Sequence, residues 1–190
     1  MDLPYGSDYA KKFITNVGLI TSTGPKGDNI MAAEFTHLVS YKPGRIAVCI
    51  GKHYKKATGL NIRKTKQFGV SIAATDQNVL SSLAGKVSGN EYDKIAALKE
   101  LGFRFYKGKK IKALMVEGAC LNVEMKLVKI IDLGSHVMFV GEALEADFNP
   151  VKEPLAYHQY KYWHRGENIP KPPQEELDRM NAVLEKHRKK

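Results

Sequence analysis

Residues 52–66 form the stretch whose composition best suits the binding of an anion, with six Lys or Arg and no acidic residue. Thr58 and Asn61 stand three apart in it, so in a helix that begins near Thr58 we expect Thr58 to be the N-cap. The hydroxyl and the amide should then both point into the first turn. Helix N-termini carry unpaired N–H groups and partial positive charge, and therefore bind phosphates. A capped surface helix with a solvated basic face has the same spacing, so both interpretations stay open.

Two further segments, 29–33 and 47–51, place small residues beside apolar ones. Small side chains let a flat ligand approach the backbone, whose N–H and C=O groups can bind its edge. Core packing and a turn explain the same residues, and the residues alone favour that simpler interpretation.

Common catalytic motifs are absent from the sequence: there is no G-x-G-x-x-G after a strand, no G-x-x-x-x-G-K-[ST], no H-E-x-x-H and no G-x-S-x-G. The six histidines show no i, i+4 pairing, so we expect no metal site. Cys49 and Cys120 lie outside any C-x-x-C pair, which argues against a structural zinc and against a disulfide-stapled fold. An intracellular, reduced protein is the expectation.

The elements that must position these residues are closely spaced strands with a few short helices. Hairpin-like turns between the strands favour an antiparallel barrel over a doubly wound parallel sheet. We expect residues 87–92 to form a loop. Strands are predicted over 16–22, 30–35, 45–51, 68–73, 120–131 and 137–146, and helices over 58–66, 78–85 and 93–101.

Length and composition suit one domain with an appendage, since the chain has 190 residues, 21.2 kDa and 43% hydrophobic residues. From residue 150 prolines become frequent and a charged helix follows over 174–190, with Leu177, Met180 and Leu184 on one stripe. We therefore divide the chain into a domain, 1–149, and a C-terminal extension, 150–190, that packs on the domain or on a second subunit.

The formal net charge of +10 favours anionic partners: nucleic acid, anionic lipid or phosphorylated small molecules. Tyr and Phe are not interleaved with the basic residues, so a nucleic-acid-binding barrel is disfavoured. No apolar run is long enough to span a bilayer and no secretory signal is visible, so we expect a cytoplasmic protein without a membrane partner.

Several short motifs follow one another in an order that is typical of a known protein family. One of them, Ala84–Gly89 followed by Tyr92-Asp93-Lys94, is similar to the A-G-x-x-S-G … D-K-F signature of that family. Taken together, residues 13–165 resemble the flavin reductase-like, FMN-binding split-barrel family, close to flavoredoxins and archaeal ferric reductases. The other motifs, in chain order, are 18–22, 29–33, Lys42-Pro43, 46–50, Thr58 with Asn61, 68–71 and 134–142.

The resemblance implies a mainly β protein with short helices, an antiparallel split β-barrel that dimerises and holds FMN near the subunit interface. It also implies a catalytic role for His136, near the flavin and the nicotinamide, although a turn histidine is the simpler interpretation of that residue. The cofactor-binding residues that it implies are Asn29, Met31, Ala32, Ala33, Val48, Cys49, Ile50, His53, Thr58, Asn61, Ser88 and Gly89.

The implied function is that of an NAD(P)H-dependent flavin or ferric reductase. Bound FMN would take a hydride from NADH or NADPH, and electrons would pass to free flavin, a ferric chelate or a redox protein. The alternative is a non-enzymatic FMN-binding electron carrier that a partner protein reduces.

Overall fold

The structure is a computed structural model that describes residues 2, 4, 7–52, 56–167, 169–186 and 188. A 3-10 turn at Ala10–Lys12 precedes the sheet. Strands in the described residues are β1 (Thr15–Asn16), β2 (Gly18–Ser22), β3 (Asn29–Ala33), β4 (Thr36–Tyr41), β5 (Gly44–Gly51), β6 (Gln67–Ile72), β7 (Phe105–Lys107), β8 (Leu114–Val116), β9 (Leu121–Asp132), β10 (His136–Phe148), β11 (Ala156–His158) and β12 (Lys161–Trp163). Helices there are α1 (Ala57–Thr65), α2 (Asn78–Lys86), α3 (Lys94–Glu100) and α4 (Gln174–Lys186).

Seven strands form the main antiparallel sheet, in the order β3–β2–β6–β9–β10–β5–β4. The long β9–β10 hairpin lies in the middle, and β10 also pairs with β5, so that His136 faces Gly51 across the ladder. The predicted fold class, mainly β with short helices and an antiparallel split barrel, is confirmed.

Both faces of β2 are buried, because side chains alternate along a strand and each face meets a different core. Ile20 packs inside the barrel with Phe68 and Phe139. Leu19 packs on the other face, in a second core shared with α2 and α3. Full burial of each such side chain contributes about 1.5–3 kcal/mol. The neighbouring strand β3 likewise contributes to both cores, with Ile30 in the core shared with the helices and Ala33 in the barrel core.

Several strands lie outside the predicted elements: β4, β7, β8, β11 and β12. In β4 the apolar residues Leu38 and Val39 are adjacent and both exposed, so this edge strand has no alternating pattern. A tight turn over 41–44 connects β4 to β5 and contains a cis Lys42–Pro43 bond.

The first part of the 150–190 extension packs on the domain. Leu155 is 3% exposed, and its backbone N–H donates to Ala73 while its carbonyl accepts from Val17. Strand β11 then pairs with β1. The predicted helix is present as α4, and its residues 174–184 are exposed. None of the helices in the described part of the chain has the length and apolar character needed to cross a membrane.

Candidate active site

Helix α1 begins immediately after the basic segment that follows β5. Its N-cap is Lys56, which makes no side-chain hydrogen bond to the first turn. The prediction that Thr58 is the N-cap is therefore wrong, because Thr58 lies one residue inside the helix. Thr58 is 2% exposed, and its hydroxyl accepts a hydrogen bond of 2.7 Å from Asn29 Nδ2 on β3. The first turn is thus fixed to β3 through a buried side-chain bond.

Asn61 has a different role from the one expected of it. Its side chain is fully buried: Nδ2 donates to the Gly27 carbonyl at 2.9 Å and to Ser22 Oγ at 3.3 Å, and Oδ1 accepts from the Lys26 N–H at 3.0 Å. Asn61 therefore holds the β2–β3 turn, and the expectation that its amide points into the first turn beside Thr58 is corrected. Two backbone groups of the turn and the Ser22 hydroxyl thus occupy the amide of Asn61.

A cavity of about 640 Å³ lies where β3, the start of α1 and the end of α2 meet, and we call it the polar cavity. Gly89 closes one side of it, and a Cβ there would lie 2.0 Å from Asn29 Oδ1, so only glycine permits this approach. The lining residues are Asn29, Met31, Ala32, Lys56, Ala57, Thr58, Ala84, Gly85, Lys86, Val87, Ser88, Gly89, Asn90, Glu91 and Lys94.

Lys94 is a residue of the polar cavity that the sequence-based site did not include. It is 3% exposed and its Nζ donates to the Ala84 carbonyl at 3.0 Å. Burial, and secondly the charge of Lys56, lowers the pKa of Lys94 to about 8. The Asp93-Lys94 motif was the sequence feature that could have identified Lys94 as a site residue. Asp93 caps α3 by accepting the Ala96 N–H at 2.9 Å, which places Lys94 on the first turn of that helix.

A second cavity of about 700 Å³ adjoins the polar cavity, and we call it the ring cavity. The two share Met31, Ala32 and Lys56, so together they form one groove along β3. Many residues of the ring cavity are small. Its lining residues are Asp2, Pro4, Ala10, Met31, Ala32, Ala33, Glu34, Phe35, Cys49, Gly51, Lys56, Ser135 and His136.

His136 stands at the start of β10 and lines the ring cavity. Its Nδ1 lies 2.9 Å from Ser135 Oγ, and its ring meets Phe35 edge-on, with centroids 5.4 Å apart and planes at 62°. These two contacts fix the imidazole on the cavity wall, where it can donate or accept a hydrogen bond.

Two acidic groups of the ring cavity have raised pKa values. Burial raises the pKa of the Glu34 carboxyl and that of the Cys49 thiol, because desolvation disfavours the charged form. Cys49 reaches the cavity, whereas its neighbours Val48 and Ile50 point into the barrel core and are 0% and 3% exposed. Strand alternation accounts for this difference.

The structure thus brings most of the expected residues to one groove. Val48, Ile50 and Asn61 do not line it, and His53 lies outside the described residues. The expected residues that line the groove are Asn29, Met31, Ala32, Ala33, Cys49, Thr58, Ser88, Gly89 and His136.

Comparison with known proteins identifies the class of protein to which this barrel and groove belong. The family model described as the flavin reductase like domain matches residues 10–164. The chain therefore belongs to the flavin reductase-like family. This confirms the resemblance found in the sequence and, with it, an oxidoreductase enzyme of the flavin reductase type.

Individual relatives agree with this assignment. A ferric-chelate reductase (NAD(P)H) of Archaeoglobus fulgidus is 30% identical over 146 residues, which are 76% of this chain and 81% of that protein. The flavoredoxin of Methanosarcina acetivorans has the same fold, with a TM-score of 0.74 at 20% identity over 92% of this chain and 95% of that chain.

An NADH:FAD oxidoreductase of Streptomyces globisporus also shares the fold, with a TM-score of 0.73 at 20% identity over 86% of this chain and 90% of that one. That protein has also been solved in complex with NAD and FAD fragments.

Proposed function

We propose that the chain is an FMN-dependent reductase that uses NADH or NADPH and delivers electrons to free flavin, a ferric chelate or a redox protein. One observation carries the proposal: the polar cavity and the ring cavity join through Met31, Ala32 and Lys56. A mononucleotide has the same two parts, an anionic phosphate and a flat ring.

The groove fits such a ligand in size and in chemistry. Cavities that hold small molecules usually measure about 300–1,000 Å³, and each part of the groove lies in that range. Ala32 and Ala33 let a flat ring approach the backbone of β3. The first turn of α1 provides N–H groups, and Lys56 and Lys94 provide positive charge.

In this proposal the phosphate binds at the first turn of α1, with Thr58, Lys56 and Ser88 around it. Asn29 positions Thr58 through their 2.7 Å hydrogen bond. Each charge-assisted hydrogen bond contributes about 1.5–3 kcal/mol. Three or four of them supply a large part of a micromolar affinity, about −8 kcal/mol, before the loss of freedom on binding is counted.

His136 and the small residues around it form the reaction end of the groove. When bound, the flavin supplies the redox chemistry of the family, which moves a hydride from a nicotinamide and releases electrons to an acceptor. The protein orients the rings and excludes water. His136, fixed by Ser135 and Phe35, is the candidate for orienting the nicotinamide by a hydrogen bond.

The names of relatives support the choice of substrates. They include a ferric-chelate reductase that uses NAD(P)H and an NADH:FAD oxidoreductase. For this chain we propose FMN as the resident flavin, because the polar cavity concentrates its donors and lysines at one place, as a terminal phosphate requires.

Anaerobic reduction tests the function. Purified protein is mixed with FMN and then with NADH or NADPH, while absorbance is followed at about 450 nm, the band of oxidised flavin. We expect bleaching with at least one nucleotide, and reoxidation on addition of free flavin or a ferric chelate. Bleaching with neither nucleotide, but with a reduced redox protein, would instead establish the electron-carrier alternative.

We also propose a homodimer in the cytoplasm. Apolar side chains are exposed on β4 and on α4, among them Leu38, Tyr41, Met180 and Leu184, and burial against a second copy would remove them from water. Both cysteines are free thiols, as a reducing compartment favours. Light scattering of the purified protein distinguishes a dimer from a monomer.

A further inference from the structure

A third cavity, of about 390 Å³, adjoins the ring cavity, and we call it the aromatic cavity. Its size lies in the range of cavities that hold small molecules. Four aromatic side chains line it, those of Phe13, Phe35, Tyr157 and Tyr160. The residues that it shares with the ring cavity are Ala10, Glu34, Phe35 and Cys49. A ligand in the aromatic cavity would therefore lie next to a ring bound in the ring cavity.

Phe35 is held in place in the wall that the two cavities share. Its carbonyl accepts the Cys49 N–H at 2.9 Å, which fixes the residue to β5. Its ring meets that of His136, in the ring cavity, with centroids 5.4 Å apart. Electrons that leave a flavin in the ring cavity would have only a short distance to travel to a molecule in the aromatic cavity.

The hairpin between β11 and β12 contributes two residues to the aromatic cavity at a cost in backbone strain. Its two-residue turn, Gln159-Tyr160, has φ angles of 50° and 63°. Turns of this length favour Asn and Gly at such positions, because larger side chains are strained at positive φ. Both residues line the aromatic cavity. Strain of this kind is concentrated at functional sites, so the turn itself supports a binding role for this cavity.

The charged groups of the aromatic cavity do not favour an anion. Lys11 is the one lysine or arginine among its described lining residues, and Lys11 Nζ donates to Asp8 at 3.0 Å. His37 also lines the cavity but is exposed, so water and salt screen its charge. Glu34, in the shared wall, is neutral or negative at any pH. FMN, polycarboxylate ferric chelates and the pyrophosphate of a dinucleotide are anions, so the aromatic cavity suits a neutral, flat molecule instead.

We propose that the aromatic cavity binds a neutral quinone, which the protein reduces to the hydroquinone with electrons from the flavin. Among neutral, flat molecules, a quinone accepts the two electrons that a nicotinamide delivers. This inference rests on the proposed function, to which it adds a class of acceptor and a binding site for it.

The reaction balances without a further reactant. NADH or NADPH loses a hydride, and the two electrons of that hydride pass through the flavin to the quinone. Two O–H bonds form on the quinone, with one proton from the hydride and one from solvent. The nicotinamide is oxidised, the quinone is reduced, and the flavin returns to its oxidised form.

Reoxidation of the flavin tests the inference on the wild-type protein. Protein with bound FMN is reduced with one equivalent of NADH or NADPH and mixed without oxygen with menadione, a neutral two-ring quinone, while absorbance is followed at about 450 nm. We expect the rate to reach a plateau as the menadione concentration rises, because electron transfer then takes place within a complex. A rate that stays proportional to the concentration shows collision without a binding site and would overturn the inference.

A naphthoquinone sulfonate is the matched ligand, because it has the same two rings and one negative charge. We expect its half-saturating concentration to be at least about tenfold higher than that of menadione. Half-saturating concentrations report binding, so the comparison does not depend on the different reduction potentials of the two quinones. Equal values would contradict a site that selects neutral molecules.

Phe13→Ala removes one aromatic side chain from the aromatic cavity, at a residue that is 64% exposed. We expect the half-saturating concentration of menadione to rise about fivefold, with the rate of FMN reduction by the nucleotide within about twofold of the wild type. Tyr9→Ala is the matched control, since Tyr9 belongs to the same segment and is 58% exposed but does not line the cavity. It should change neither quantity.

The outcomes separate this inference from the proposed function. If neither nucleotide bleaches the bound FMN, the proposed function is overturned, and this inference with it. If free flavin or a ferric chelate reoxidises the protein but menadione shows no plateau, only the quinone site is wrong. Slower FMN reduction in Phe13→Ala would assign the aromatic cavity to the nucleotide, and a changed mass by light scattering would assign it to contact with a second copy. Either result overturns the quinone site.

Discussion

The polar cavity and the ring cavity share β3 as a wall but differ in how their residues are held. In the polar cavity, buried polar groups form a chain of specific contacts: Asn29 bonds to Thr58 and approaches Gly89, and Lys94 bonds to Ala84. In the ring cavity the walls are mostly small or apolar, and His136 is the chief polar side chain with a fixed orientation.

This difference indicates that the two cavities have separate roles in binding. Hydrogen bonds are directional and leaving one unmade in the interior is costly, so the polar cavity suits recognition of one charged group in one position. Dispersion contacts with small residues depend little on the orientation of the ligand, so the ring cavity can accept different flat rings one after another. Substitutions in the two cavities should therefore affect binding selectivity and reaction rate differently.

The largest effect is expected just outside the groove, at Asn61. Asn61→Ala removes three hydrogen bonds, two to the β2–β3 turn and one to Ser22 at the end of β2, and we expect the free energy of unfolding to fall by about 3 kcal/mol. Urea denaturation measures this loss. Lys64→Ala, on the exposed face of α1, should change it by less than about 0.5 kcal/mol.

The ratio of FMN to riboflavin affinity should be unchanged in Asn61→Ala, because the side chain does not line the polar cavity. A variant of normal stability that had selectively lost FMN would show that Asn61 belongs to the phosphate site after all.

The next largest effect is expected at Gly89. A methyl group there would lie 2.0 Å from Asn29 Oδ1 and must displace the amide that bonds to Thr58. For Gly89→Ala we expect FMN binding to weaken about 30-fold and riboflavin binding by much less, as measured by fluorescence titration.

Gly85→Ala is the matched control for Gly89→Ala. It lines the same cavity, but its Cβ would only touch Ala32 Cβ at 3.4 Å. Its FMN affinity should stay within about threefold of the wild type. Equal losses in the two variants would contradict the view that the Asn29–Thr58 contact organises the phosphate site.

Asn61 and Gly89 also show how much of the site the sequence could predict. Strand β3 and Ser88–Gly89 line the groove, and the family resemblance was the reason to expect cofactor-binding residues there, since the residues alone favoured core packing and a turn for 29–33. The N-cap of α1 is Lys56, two residues before the predicted Thr58, and the predicted orientation of Asn61 is wrong as well. Whether a buried amide bonds to a ligand or to a turn depends on contacts across more than 30 positions in the chain.

The missed strands have a similar explanation. Strands of five or more residues that are buried on one face carry an alternating pattern of apolar and polar residues. Strands β7, β8, β11 and β12 span only three residues each, which is too short for such a pattern, and they pair with partners that local sequence does not indicate. Lys94 was missed as a site residue because a lysine on a short helix is usually solvent-exposed. Its burial follows from the packing of α3 against the rest of the chain, which no local pattern reports.

A smaller effect is expected in the ring cavity. His136→Ala should slow reduction by NADH or NADPH about tenfold while changing FMN affinity by less than about twofold, because the imidazole orients the rings and does not contact the phosphate end. Stopped-flow reduction and equilibrium titration measure the two quantities separately. His158→Ala removes a histidine that does not line the groove and should change neither.

The opposite pattern for His136→Ala, a large loss of FMN affinity with an unchanged rate of reduction, would assign the residue to binding. The ring cavity would then contribute to FMN affinity as the polar cavity does, and the two cavities would not have separate roles in binding and reaction.

The smallest effect concerns the stability of the protein without ligand. Since the pKa of Lys94 falls from 10.5 in the unfolded chain to about 8 in the fold, the folded state binds fewer protons between these values, and stability rises with pH across that window. Below about pH 8 the full penalty of the buried charge is present. Lys94→Met lacks that penalty, so at neutral pH it should melt about 2–4 °C above the wild type, and the difference should shrink as the pH approaches 10.5.

Thermal denaturation without flavin, at several pH values, measures this difference, with Lys99→Met as the control that stays with the wild type throughout. A less stable Lys94→Met at neutral pH would mean that the Ala84 hydrogen bond outweighs the burial of the charge. Addition of FMN should reverse the order of the two proteins, because the phosphate stabilises more strongly the chain that keeps its ammonium. The polar cavity would then be a region that lowers the stability of the empty fold in order to recognise an anion.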